Sequence, residues 1–109
     1  MDIDNIRYLL TVVDNDFNLT KSAKILHVSQ PAISKAIKDI EFKRGTPIFN
    51  RKKGRLIGLT RYGITLVTEA RKVYSQYSMM ITKLNEMSEG INGTVRIGIA
   101  PVIISTVFN

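Results

Sequence analysis

The chain has 109 residues, enough for one small domain or one domain and a fragment of another. It has no Cys and one His, which excludes disulfide scaffolds, zinc–thiolate sites, thiol catalysis and multi-histidine metal centres. Its apolar content of 44% suits a packed core, and sixteen Lys and Arg against nine Asp and Glu leave a net charge of +7.

Asp2 is placed to cap a first helix, in which Ile3, Ile6, Leu10 and Val13 recur at helical spacing, with Leu9 and Val12 widening the stripe. Asp14-Asn15-Asp16 marks its stop. Thr20 is expected to cap a short second helix, Lys21–Leu26, whose small Ser22 and Ala23 allow close packing. The His27-Val28 turn follows, where His27 is read as a turn or packing residue.

Ser29 is expected to cap a third helix, with Gln30 and Pro31 in its first turn, where proline gives up no needed donor. At about 100° per residue, Ala32, Ile33, Ala36, Ile37 and Ile40 fall on one arc, and Gln30, Pro31, Ser34, Lys35, Lys38 and Glu41 on the other. One face is therefore aliphatic and the other carries Gln, Ser and Lys. Gly45 is the expected terminator. Arg44 falls on the aliphatic arc, so either the helix distorts there or the side chain snorkels out.

A hairpin is predicted next: a strand over Thr46–Phe49, a basic turn over Asn50–Arg55 with its tip at Lys52-Lys53-Gly54, and a return over Leu56–Thr60. A long helix should then run from around Arg61–Ile64 to Gly90. Leu66, Ala70, Val73, Tyr77, Met80, Leu84 and Met87 recur in it at alternating intervals of four and three, continuing to Ile91. Such a heptad seam argues for helix pairing. Asn92-Gly93 reads as a turn and Thr94–Ala100 as a strand broken by Pro101, the first element of a further domain. The domain reading is 1–61, 62–90 and 91–109.

The charge is localised. Residues 1–20 hold four acids and one base, whereas Lys21–Arg61 hold eleven bases and two acids, Asp39 and Glu41. A block of one sign attracts polyanions. Helix, short helix, tight turn, polar-faced helix and basic hairpin are together the order of a winged helix-turn-helix. Gln30 can offer an amide to adenine, Ser34 can meet either base, and Lys35 and Lys38 can reach phosphate or guanine. The Ser29 end directs free backbone N–H groups at a phosphate. Arg51, Lys52, Lys53 and Arg55 suit phosphates or a narrow minor groove.

The run Ala23-Lys-Ile-Leu26-His-Val-Ser29-Gln30-Pro31-Ala32-Ile33-Ser34 is followed by Ile40-Glu41, Gly45-Thr-Pro-Ile-Phe49-Asn-Arg51 and Leu59-Thr60-Arg-Tyr-Gly63. These motifs resemble the LysR-type transcriptional regulators over about residues 1–100. The resemblance implies a mainly α fold: a winged helix-turn-helix of three helices plus a β-hairpin wing, followed by a long dimerisation helix. Gln30, Pro31, Ser34 and Lys35 would face the major groove, and the hairpin bases the flanking minor groove. It also implies a double-stranded, two-fold-symmetric DNA operator, a homodimer through the long helix, and a tetramer as an option for a full-length protein. A small-molecule effector would bind only in a domain beyond this chain. Thr20, Ser29, Gln30, Pro31, Ser34, Lys35, Lys38, Arg51, Lys52, Lys53 and Arg55 are the expected DNA contacts. Leu66, Ala70, Val73, Tyr77, Met80, Leu84 and Met87 are the expected dimer contacts. The chain departs from the family pattern in Arg44, where Leu is usual, in a wing one residue longer than the commonest, and in apolar Ala100, Pro101 and Val102.

No cofactor or metal is expected, and an enzyme finds no inventory here: no Cys, no second His and no phosphate loop. The longest apolar stretch, Ile97–Ile104, is too short for a membrane span, and Asp2 and Asp4 make the start unlike a secretory signal, so a cytoplasmic protein is expected. A competing reading is a basic helical protein-interaction module. A single-strand or RNA binder is disfavoured, because the basic region offers only Phe42, Phe49 and Tyr62 for stacking.

Overall fold

The computed structural model describes residues 1–91, with side chains through Ser88. The turn, strand and hinge expected over 92–109 lie outside the described residues. The elements run α1 (Ile3–Asp14), α2 (Leu19–Leu26), α3 (Gln30–Arg44), β1 (Phe49–Lys52), β2 (Arg55–Leu59) and α4 (Arg61–Ile91). One compact unit spans Met1–Tyr74, past residue 61, and a second begins at Ser75.

Asp2 caps α1 by accepting the Asn5 N–H at 2.9 Å. The α1–α2 turn is tight. Asp16 and Phe17 stand at φ 55° and 64°, and the Phe17 N–H donates to the Val12 carbonyl at 2.9 Å. The Phe17 ring meets Phe49 edge to face with centroids 6.0 Å apart, which anchors a bulky residue in a conformation it rarely adopts.

The cap of α2 is Asn18, not Thr20. Asn18 Oδ1 accepts the Lys21 N–H at 2.9 Å, and the helix starts at Leu19. Asn and Thr both cap well, and the left-handed pair before Asn18 delivers Asn18 first. Ser22 and Ala23 are buried, and the Ser22 hydroxyl donates to the Asn18 carbonyl at 2.8 Å. Left-handed His27 closes α2.

Ser29 caps α3 by accepting the Ala32 N–H at 3.2 Å, and Gly45 ends the helix. Ile33, Ile37 and Ile40 bury the aliphatic arc, whereas Ala32, at its edge, is exposed. The helix continues through Arg44, whose side chain is exposed, so of the two alternatives Arg44 snorkels.

The hairpin is shifted from its expected place: β1 starts at Phe49 rather than Thr46, and the turn narrows to Lys53-Gly54. Two interactions draw the preceding link out of the ladder. Glu41 takes the N–H groups of Ile48 and Phe49, and Thr60 takes the carbonyls of Pro47 and Ile48. The antiparallel register pairs Phe49 with Leu59 and Lys52 with Arg55, and shifts between Asn50 and Arg51 so that Ile57 is passed over. This bulge leaves Ile57 without a partner on β1. Lys53 and Gly54 stand at φ 52° and 77°, the signs a type I′ turn requires.

Thr60 then caps α4, its hydroxyl accepting the Gly63 N–H at 3.0 Å. The core of the compact unit gathers Ile6, Leu9, Leu10 and Val12 with Ala23, the three α3 isoleucines, Ile48, Phe49, Val67 and Ala70. Arg71 pairs with Asp14 across α4 and α1, but both side chains are about half exposed, so the pair adds little stability.

Candidate nucleic-acid interface

The aliphatic face of α3 is committed to the core, so its other face must point outward. Gln30, Pro31, Lys35 and Lys38 are exposed there and Ser34 is half-buried. Gln30 Nε2 lies 3.4 Å from Ser34 Oγ, which places the two expected base readers side by side. Lys35 pairs with Asp39 at 3.1 Å, an exposed contact that water and salt weaken readily. Lys38 has no polar side-chain partner among the described residues.

The α1–α2 turn, the start of α3 and the wing tip line one groove, with Thr20, Gln30 and Arg55 in its walls. Asp16 adds one carboxylate to it. Ser29 caps the start of α3 and takes the Ala32 N–H, and Pro31 has none, so fewer first-turn amides are left for a phosphate than the sequence suggests, although the helix dipole still favours an anion there. Lys52, Lys53 and Arg55 are exposed on the hairpin. This half of the molecule therefore presents amide and hydroxyl groups ringed by cations, the chemistry of base edges framed by phosphates.

Arg51 differs from the other wing cations. Its guanidinium donates to Glu41 Oε1 at 2.8 Å and to Oε2 at 3.2 Å. The sequence gives Glu41 no such role beyond its place on the polar arc. The available signal is that Glu41 continues the i, i+4 ridge of Ile33 and Ile37, so it lies on the border with the core. Burial pushes the Glu41 carboxyl up, but the hydrogen bonds from Arg51, Ile48 and Phe49 and the Arg51 charge outweigh it and hold the pKa below the ordinary 4.5. Thr60, also missed by sequence reasoning, was visible as a Thr three residues before Gly63 at the start of a helical pattern.

Along α4 the expected dimer contacts divide. Ala70 is buried and Leu66 packs against the core of the compact unit, so both are engaged within the chain. Tyr77 is half-buried, and Val73, Met80, Leu84 and Met87 are exposed. The exposed part of this stripe is therefore shorter than its sequence spacing. Among the described residues no helix is long and apolar enough to cross a membrane, and no cluster of His, Asp and Glu could hold a metal ion.

Residues 3–64 match the family described as "Bacterial regulatory helix-turn-helix protein, lysR family". The HTH-type transcriptional regulator BsdA of Bacillus subtilis is 30% identical over 90% of this chain, and the chain spans 33% of that protein. The HTH-type transcriptional regulator CysB of Thiocapsa roseopersicina is 31% identical, with 90% of this chain and 72% of that protein covered. Among solved structures, the DNA-binding domain of BenM in complex with catB site 1 DNA is similar at a TM-score of 0.73 and 26% identity, over 81% of this chain and 97% of that one. The mainly helical fold with its wing and long final helix is thus that of a winged helix-turn-helix domain. The chain belongs to the lysR family of bacterial regulatory helix-turn-helix proteins.

Proposed function

We propose that this chain is the DNA-binding part of a sequence-specific transcription regulator that works in the cytoplasm on double-stranded DNA. The observation that carries this reading is the outward face of α3, where Gln30 and Ser34 stand together beside Lys38, next to a wing whose exposed Lys52, Lys53 and Arg55 carry no ion pair among the described residues. The BenM domain of the same fold, seen with DNA, supports it. Gln30 and Ser34 read base edges in the major groove, and Lys35, Lys38 and the wing's Lys52, Lys53 and Arg55 hold phosphates on either side. Thr20 borders the same groove as Gln30 and Arg55. Two copies pair through the exposed stripe of Val73, Met80, Leu84 and Met87, so the operator has two-fold symmetry.

The test is Gln30→Ala. Losing a bidentate amide costs about 1–3 kcal/mol on the selected operator and little on random duplex. Equal losses on both would remove Gln30 from base readout. The interaction-module alternative predicts weak duplex binding even at low salt, whereas phosphate contacts give log K a slope near −0.9 per contact against log salt.

A further inference from the structure

The recognition helix and the wing are joined by one carboxylate. Glu41, near the end of α3, accepts four hydrogen bonds: from the Ile48 N–H at 2.7 Å, the Phe49 N–H at 3.3 Å, and Arg51 at 2.8 and 3.2 Å. Its side chain is 12% exposed and that of Arg51 32%. The donors come from the link and from β1, so the carboxylate ties the foot of the wing to the helix at three residues.

We propose that Arg51 is not a phosphate ligand but a positioning residue. With Glu41 it fixes the angle of the wing to α3, and Lys52, Lys53 and Arg55 make the wing's phosphate contacts. This inference rests on the DNA-binding reading above. The Glu41 fork engages both terminal nitrogens of Arg51, so an equivalent fork on a phosphate would require Arg51 to abandon Glu41. That would leave a largely buried carboxylate without its counter-charge, facing an incoming polyanion. The forked pairing also needs the planar guanidinium. A lysine cannot hold both oxygens, although it would serve a phosphate well as a point charge. Lys52, Lys53 and Arg55, by contrast, carry no ion pair among the described residues.

The two roles predict opposite signs. If Arg51 holds phosphate, Glu41→Gln removes a competing negative charge and tightens DNA binding. If Arg51 is a strut, the same substitution loosens the wing and weakens binding, although it makes the chain more positive.

The experiment measures binding of the full 109-residue chain to a labelled mixed-sequence duplex of about 30 base pairs, at several salt concentrations. The variants are Glu41→Gln, Arg51→Gln, Arg51→Lys and the Glu41→Gln/Arg51→Gln double. The strut predicts about fivefold weaker binding for each single variant, no rescue by Lys, and little further loss in the double. Tighter binding by Glu41→Gln, wild-type binding by Arg51→Lys, or an equal Arg51→Gln loss in both backgrounds would overturn it. Thermal unfolding of the same four variants and the wild type without DNA gives an independent cycle. The strut predicts strongly non-additive shifts in Tm, and additive shifts would overturn it. Absence of salt-dependent duplex binding by the wild type would remove the DNA-binding reading instead, leaving the unfolding cycle to report on the pair alone.

Discussion

The α-carbon of Gly63 lies against the carbonyl of Ile48. A methyl group there would overlap that oxygen and stand 3.1 Å from both the Ile48 carbonyl carbon and Leu59 Cδ2. The first turn of α4 is thereby pressed onto the link before the wing. Thr60 secures the same junction, donating its hydroxyl to the Pro47 and Ile48 carbonyls and its N–H to Ile48 at 2.9 Å.

Gly63→Ala is therefore expected to destabilise the fold by about 1–3 kcal/mol, because the obstacle is backbone and not a movable side-chain tip. Gly58→Ala is the control, since nothing lies within 4 Å of the position its Cβ would take. Chemical denaturation of the two variants checks this. Equal stability would show that the α4 junction yields without cost.

Much of this architecture was legible beforehand, for local reasons. Asp2, Ser29 and Gly45 act through neighbours three or four residues away, so their capping roles can be read from order alone. Ile33, Ile37 and Ile40 were placed by helical period. The misplacements have other causes. Thr20 loses the α2 cap to Asn18, which follows directly on left-handed Asp16 and Phe17 and so meets the Lys21 N–H first. The strand expected at Thr46 begins at Phe49 because Glu41 and Thr60, each distant in sequence, take the link's polar groups. In the candidate site, the residue types on α3 were legible from its polar arc. The engagement of Arg51 with Glu41 was not, because it depends on how the chain returns past the helix.

The Glu41 carboxylate makes stability depend on acid. Its folded pKa lies below the ordinary 4.5, so the pair contributes fully above that value and is lost as pH falls through the lower folded value. The stability difference between wild type and Glu41→Gln should therefore be constant near neutrality and shrink below about pH 4.5. Unfolding curves of both proteins from pH 7 to pH 3 test this. A difference that grows on acidification would contradict the depressed pKa.

Lys53 separates stability from affinity. It holds φ 52° in the wing turn, a conformation that suits Asn better than Lys. Lys53→Asn should stabilise the chain by about 0.5 kcal/mol while removing one wing cation. On duplex DNA it should weaken binding and reduce the steepness of the salt dependence by about 0.9 if Lys53 holds one phosphate. An unchanged salt slope would place Lys53 away from the backbone.

The central claim is that α3 reads sequence while the wing holds the duplex. Its most direct test is selection of bound duplexes from a random pool at about 150 mM salt, followed by sequencing. The account predicts an enriched inverted repeat with half-sites about one helical turn apart. A pool that binds but yields no enriched motif would contradict sequence reading by Gln30 and Ser34.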